Sequence, residues 1–499
     1  MRRLLLVVLL VGVGLLSSRF SEVMAATLTV STTDDCNVAN CGSLRDAINQ
    51  ANASPGADTI SITAQGTLTL TSNLPTITDT LTIVGPGQAN FSIAATCAAC
   101  RALASTVALT ASGFTVSTAQ NGGIVIINGT ADVHDVTVRN IGTGGGLVAA
   151  FQAGGQSASL ANVNITGNNA SDSTIGLLVF TGTVTVSGSN LTGNTVAVGQ
   201  SGGTLTIRNS LIADNVSHSD SPGGFAHVGG TLIVDNSLVA RNSGTEGGAY
   251  HQFTGGSATF NNTTFFGNSA PVGGALLMES PGSLSLNNVT ITGNSSAPGG
   301  LQVLSGTAVV RNTIIAGNTG ANCSGPITSQ GNNLSSDGTC NLTAVGDKPS
   351  TQPGFATGTL ASNGGPTQTV ALAANSPAVD AGSSAAPSCS TGSTDQRGFP
   401  RVTDGNGDGT AVCDIGAYEL AAFVQATTTP AATATAVAPT PFVLQPIPQV
   451  FQNPGAIAAV AGNRPSMPTP REAVAPTAAQ PLVIMPPHTG DAGLLADEE

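Results

Sequence analysis

Asn262-Thr263-Thr264-Phe265-Phe266-Gly267-Asn268 is followed by Asn288-Val289-Thr290-Ile291-Thr292-Gly293-Asn294 and then by Asn312-Thr313-Ile314-Ile315-Ala316-Gly317-Asn318. Earlier copies run Asn162 to Asn168, Asn209 to Asn215 and Asn236 to Asn242; one with Gly188 in the first slot ends at Asn194, and a degenerate one runs His134 to Asn140. From Asn140 the closing Asn recurs at steps of 28, 26, 21, 27, 26, 26 and 24. A unit of that length cannot bury its own apolar face, so successive copies must stack.

The runs around the paired Asn, such as Thr204-Leu205-Thr206-Ile207 and Ser283-Leu284-Ser285-Leu286, alternate small polar and apolar residues. That is the period of a strand with one buried face. The runs are short and end in Gly, Asn or Ser, which make tight corners. The expected fold is all-β: a right-handed parallel β-helix, with a short N-terminal helical cap and a Pro/Thr/Ala-rich disordered stalk at the other end. Closing residues Asn168, Asn194, Asn215, Asn242, Asn268, Asn294 and Asn318 are expected to stack as a structural ladder, and Asn tolerates the left-handed backbone of a sharp corner. Gly223-Gly224, Gly247-Gly248, Gly273-Gly274 and Gly299-Gly300 mark a second corner, where Gly supplies positive φ. Arg208 and Asp235, and likewise Asp214 and Arg241, hold equal slots on successive coils and are expected to pair across rungs.

Met1-Arg2-Arg3, the apolar run from Leu4 to Leu16 and Val23-Met24-Ala25 have the layout of an export signal over residues 1–25. The run is too short for a membrane span, so the mature chain is expected outside the cytoplasm, extracellular or at a cell surface, with no integral span. Eight cysteines fall into local couples, Cys36/Cys41, Cys97/Cys100, Cys323/Cys340 and Cys389/Cys413, which suit disulfides in an exported chain. Cys97 and Cys100 have metal-pair spacing, but no second pair or nearby His accompanies them, leaving a disulfide or free thiols. The net charge is −13 and Lys348 is the single lysine, which argues against nucleic acid as a partner. With no Trp and two Tyr, the chain offers few aromatic platforms for a deep sugar cleft. Beyond about residue 421 no strand or helix period survives, and 13 of the 27 prolines lie after Gln425, as in an extended spacer. Pro487-His488-Thr489-Gly490 matches part of a sortase signal but lacks the apolar span and basic stop that follow one.

Three stretches resemble modules of bacterial exported proteins. Cys41-Gly42-Ser43-Leu44-Arg45-Asp46-Ala47-Ile48, with Gly56-Ala57-Asp58-Thr59-Ile60 after it, resembles the CSLREA module at the start of surface β-helices, with Gly42 inserted and Asp46 in place of Glu. Leu44, Ala47, Ile48 and Ala51 have helical spacing, so residues 26–60 are expected to cap the first coil. The repeats over 61–331 resemble those of polymorphic outer-membrane proteins through Phe265-Phe266-Gly267-Asn268, Gly247-Gly248-Ala249-Tyr250 and Gly273-Gly274-Ala275-Leu276, a likeness that implies adhesion. Residues 332–420 resemble the choice-of-anchor Q module through Asn363-Gly364-Gly365-Pro366-Thr367-Gln368-Thr369, Ser376-Pro377-Ala378-Val379-Asp380-Ala381-Gly382, Asp395-Gln396-Arg397-Gly398 and Cys413-Asp414-Ile415-Gly416-Ala417-Tyr418-Glu419. No chemistry follows from that likeness.

Two groups are candidates for chemistry. Asp404, Asn406 and Asp408 alternate with Gly as calcium ligands do, although Ile415 stands where the closing acid belongs. Parallel β-helices also host polysaccharide lyases and glycoside hydrolases, which need clustered acids and bases. The densest such cluster is His218, Asp220 and His227 with Glu246 and His251 on the next coil, all read as corner-loop residues. The leading expectation is a non-enzymatic, adhesin-like or structural surface module with a cell-surface glycan or protein as ligand; the alternative is a pectate-lyase-like enzyme on the same scaffold. Calcium is the sole cofactor the pattern raises.

Overall fold

The computed structural model describes residues 25–422, apart from 98–99, 143–147, 171–172 and 385–388. The expected export signal (1–25), all but its last residue, and the expected stalk from 423, with its sortase-like stretch, lie outside the described residues. Among the described residues no helix is long and apolar enough to cross a membrane.

The chain winds as a parallel β-helix with three faces to a coil. The coil that starts at Thr204 shows the plan. Thr204–Arg208 forms the first face, Leu211–Ala213 the second and Phe225–His227 the third, after which Thr231–Asp235 lies in register on Thr204–Arg208. Third-face strands make a ten-stranded sheet, one strand per coil, from Leu103–Ser105 to Cys323–Ser324; the other two faces share a 23-stranded sheet. Alternate residues point inward, so Leu205, Ile207, Ile212 and Phe225 fill a continuous apolar core. Phe260 meets Phe225, Tyr250 and Phe265 edge-on at centroid distances of 6.1, 5.6 and 5.0 Å, the geometry aromatic rings favour. Coil pairing continues through Leu334–Ser335, past the boundary at 331 that the repeats suggest.

The two Asn of each copy do different work. The first turns the corner between the first and second faces: Asn162, Asn209, Asn236, Asn262, Asn288 and Asn312 have φ between 47° and 53°, with Gly188 at 55°. The closing Asn is buried from Asn168 to Asn294, and Asn318 is partly buried. Asn168 Nδ2 donates to Asn194 Oδ1 (2.8 Å), and the relay passes through Asn215, Asn242, Asn268 and Asn294 to Asn318 at 2.7–3.0 Å. A parallel relay joins the buried hydroxyls after the first Asn: Ser189 N–H donates to Ser210 Oγ, and Ser210 N–H to Ser237 Oγ. The degenerate copy is shifted by one. Pairing of Thr166 with Arg139 puts Asn140 beside Gly167, so Ile141 holds the ladder slot and only its N–H reaches Asn168 Oδ1, at 3.0 Å.

The Gly pairs do not align pair on pair. Gly223, Gly248, Gly274 and Gly299 form one column, and positive φ explains Gly247 and Gly273 alone. What the column shares is lack of room: a Cβ on Gly248 would stand 2.4 Å from the carbonyl oxygen of Gly274.

Helix α1 (Leu44–Ala53) is capped by Ser43, whose side chain accepts from Asp46 N–H at 3.1 Å. Its buried face, Leu44, Ala47, Ile48 and Ala51, joins the core beside Thr27–Val30 and Asp58–Ile62. All eight cysteines pair within their local couples, Cys36–Cys41, Cys97–Cys100, Cys323–Cys340 and Cys389–Cys413.

The segment after the last coil turns back along the second face. Leu360 packs with Leu211, Ala213, Leu238, Ala240 and Phe266, and Leu372, Ala378 and Ile415 pack on Ile314 and Ala316. Thr264 Oγ1 donates to Gln396 Oε1 (2.6 Å) and Ala417 N–H to Thr290 Oγ1 (3.0 Å). At the centre of this seam the fully buried Arg401 guanidinium donates to Asn262 Oδ1 (2.8 Å) and Gly416 O (2.6 Å) and lies 3.4 Å from Glu419 Oε2. Arg397 pairs with Asp395 (2.6 Å) and stacks on Tyr418, 3.8 Å from the ring centroid. Gln396, Ala378, Ile415 and Ala417, from stretches quoted for the anchor-module resemblance, thus share the clamp with Leu360, Leu372 and Arg401, which lie outside those stretches.

Candidate functional site

The outer side of the third face carries the densest chemistry. His251 is the middle residue of Tyr250–Gln252, so its side chain points outward while Tyr250 and Gln252 point into the core. It is nevertheless fully buried. The loop before the strand folds over it, and Gly247, at φ +57°, lets that loop approach until a Cβ there would lie 2.8 Å from His251 Cβ. Val272 pairs with Glu246 on the next coil and accepts from Gly247 N–H at 2.8 Å, which fixes Glu246 above the ring. Glu279 follows the next strand, Leu276–Met278, and is tied by its N–H to Gln252 O at 3.2 Å.

The imidazole thus sits between two carboxylates. Nε2 is 3.0 Å from Glu279 Oε2 and Nδ1 is 3.7 Å from Glu246 Oε2, and the ring stacks on Phe253 with centroids 3.8 Å apart. Glu246 and Glu279 keep 38% and 48% of their side-chain surface exposed, so the group opens to solvent on its carboxylate side. Burial pushes the His251 pKa down and outweighs the Glu279 hydrogen bond and the two negative charges, which favours a neutral ring. Glu246, His251 and Glu279 offer ligand atoms that all lie within 4.8 Å of one another, the spacing of groups that can hold a metal ion. Chemically the trio can hold a proton between imidazole and acid or bind a cation.

Sequence proximity grouped five residues here, and the structure unites only Glu246 and His251. His227 and His251 belong to strands, not corner loops, and their strands pair Ala226 with His251. That offset of one residue sends His227 to the opposite side of the sheet. It lies inside the coil, with Nδ1 2.9 Å from the Tyr250 hydroxyl, which donates on to Gln252 Oε1 at 3.1 Å. His218 and Asp220 are exposed in the loop after Asn215, outside the trio. Glu279 was missed because it has no repeated slot; aligning Leu276–Met278 on Tyr250–Gln252 would have placed it beside Phe253, next to His251.

The calcium candidates lie elsewhere, in an exposed loop of the turned-back segment. Asp404 accepts from the N–H groups of Gly407 (2.7 Å), Asp408 (3.1 Å) and Gly409 (2.9 Å), and Asn406 Oδ1 accepts from Asp408 N–H (2.8 Å). These oxygens order the turn itself. The cross-rung pairs are present and exposed: Arg208 Nε to Asp235 at 3.1 Å and Arg241 Nε to Asp214 at 2.7 Å.

No protein-family model matches the chain, and no curated protein does. Among solved structures it is similar to the crystal structure of pectate lyase Pel9A, at 13% identity and a TM-score of 0.42, over 80% of this chain and 98% of that one.

Proposed function

We propose that the chain is an exported, non-enzymatic β-helix that recognises an extended surface ligand, a glycan in the first instance, along its first face. The observation that carries this reading is a column of eight hydroxyl side chains in unbroken register: Thr130, Ser157, Thr183, Thr204, Thr231, Ser257, Ser283 and Thr307. All are at least partly exposed, and a second column two residues along adds Ser159, Thr185, Thr259 and Ser285. Hydroxyls repeating every ~4.8 Å on a flat, rigid sheet offer donors and acceptors to a polymer with its own repeat. The local disulfides, the resemblance of residues 41–60 and 332–420 to modules of exported bacterial proteins, and the adhesin-like repeats support the same reading. So does the Pro/Thr/Ala-rich tail as a spacer from the cell.

The test is a polysaccharide panel, polyuronates with calcium included, presented to the full chain and read for both retention and bond cleavage. Retention without cleavage is expected, weakened about tenfold or more when Thr183, Thr204 and Thr231 are all changed to Val. Cleavage that disappears in Glu246→Gln would replace this reading with the lyase or hydrolase alternative. Retention that ignores the triple change would move recognition off the first face.

A further inference from the structure

His251 poses a problem that the recognition surface does not address. Its ring is held rigidly, fully buried, stacked on Phe253 and tied through Nε2 to Glu279. That bond needs a proton on Nε2, donated to the carboxylate, and the matching tautomer carries none on Nδ1. Nδ1 is then a buried lone pair without a hydrogen-bond partner. The group facing it, at 3.7 Å, is the Glu246 carboxylate, which when ionised is also only an acceptor. Two electron-rich atoms face each other in a partly dry site with no donor between them. An unmet buried acceptor is costly, so the arrangement calls for a positive species in the gap.

We propose that His251 Nδ1 and Glu246 bind a divalent first-row transition cation, with zinc as the reference ion, and that Glu279 acts behind the ring as the positioning carboxylate. An imidazole nitrogen and a carboxylate oxygen are a suitable donor pair for such an ion, at about 2.0–2.2 Å each, and a 3.7 Å gap seats an ion bonded to both. Glu279, accepting from the other ring nitrogen, fixes the tautomer that aims the lone pair at the ion, as outer carboxylates do behind metal-bound histidines. The half-exposed carboxylates leave the remaining positions to water. The competing species is an imidazolium that donates to both acids.

The experiment titrates zinc into the full chain by calorimetry and repeats the titration with cobalt(II), read by its visible absorption. One saturable site per chain is expected, with Glu246→Gln weakening it by about tenfold or more and Glu279→Gln by about tenfold. Glu246→Gln keeps side-chain size at a half-exposed position, so its fold is checked by circular dichroism and the comparison survives even where His251→Gln fails to fold. Zinc binding equal in the parent and Glu246→Gln overturns the proposal, as does no saturable binding. A ¹⁵N imidazole spectrum with protons on both His251 nitrogens, unchanged by zinc, overturns it in favour of the imidazolium.

Discussion

The Asn242 side chain takes part in four hydrogen bonds. Nδ2 donates to Ile212 O (3.0 Å) and Asn268 Oδ1 (3.0 Å), while Oδ1 accepts from Asn215 Nδ2 (2.7 Å) and Asn215 N–H (3.3 Å). Truncation to Ala strands donors and acceptors on both neighbouring coils in a site without water access, at about 1–3 kcal/mol for each group left unmet. Asn242→Ala is therefore expected to cost about 3 kcal/mol or more. Asn168, the first rung, takes part in three such bonds, with only the Ile141 N–H behind it, so Asn168→Ala should cost less. Denaturant midpoints of the two variants check the order; equal losses would mean that the rungs act independently. The neighbouring slot behaves differently. Arg241 has φ 53° where Gly267 and Gly293 stand in later copies, and its bond to Asp214 is exposed. An exposed pair contributes under about 1 kcal/mol, comparable with the strain a non-Gly residue bears there. Arg241→Gly is expected to leave the midpoint within about 0.5 kcal/mol of the parent, and a clear loss would show that the pair matters more than its exposure implies.

At the scale of elements, the turned-back segment is held by apolar contacts and by a buried set of charges: Arg397 and Arg401 against Asp395, Asp414 and Glu419. Three acids face two guanidinium groups, so one proton is best retained. Burial, opposed in part by Arg401, raises the Asp414 carboxyl to about 7, and burial together with Asp414 raises Glu419 to about 9. Both values lie above those of the released, solvated segment, so the docked form binds more protons. The contribution is complete below the ordinary carboxyl range and is lost as pH rises through about 7 and then about 9. Hydrogen exchange and limited proteolysis of residues 351–420 should show protection falling between pH 6 and pH 9. Protection that is flat over that interval would mean that both acids stay ionised beside the guanidinium groups. Arg401→Met, which leaves the buried Asn262 Oδ1 and Gly416 O without their donor, should loosen the same segment at neutral pH, by about 3 kcal/mol.

Across the whole molecule, what the sequence discloses is what repeats. The coil period, the first and second faces and the buried Asn column all recur at fixed offsets, and the inward–outward alternation follows from strand geometry alone. Third-face strands such as Tyr250–Gln252 are three residues long, too short for a period to declare itself, and so His227 and His251 read as loop residues. The docking of the last segment could not be read either. Asn262 to Arg401 and Thr264 to Gln396 are contacts 139 and 132 residues apart, and on the coil side they use repeat positions that nothing in the sequence marks out from their copies. This difference has a mechanical consequence. A solenoid of independent coils tolerates loss of any one of them, because each contacts only its neighbours. Removing residues 157–182 joins Gln156 to Thr183, which occupies the place of Ser157 one coil on, and so preserves every register. Removing 257–282 joins Gly256 to Ser283 with equal fidelity. The second deletion, however, brings Asn236, Leu238 and Ala240 under Arg401, Gln396 and Leu360, which keeps an Asn for Arg401 but removes the Thr264 hydroxyl from Gln396 and the Phe266 ring from Leu360. The first variant should unfold cooperatively with residues 351–420 as protease-resistant as in the parent, and the second should keep its coils and lose that protection. If the two deletions behave alike, the segment is not a clamp, and the coils alone hold the molecule together.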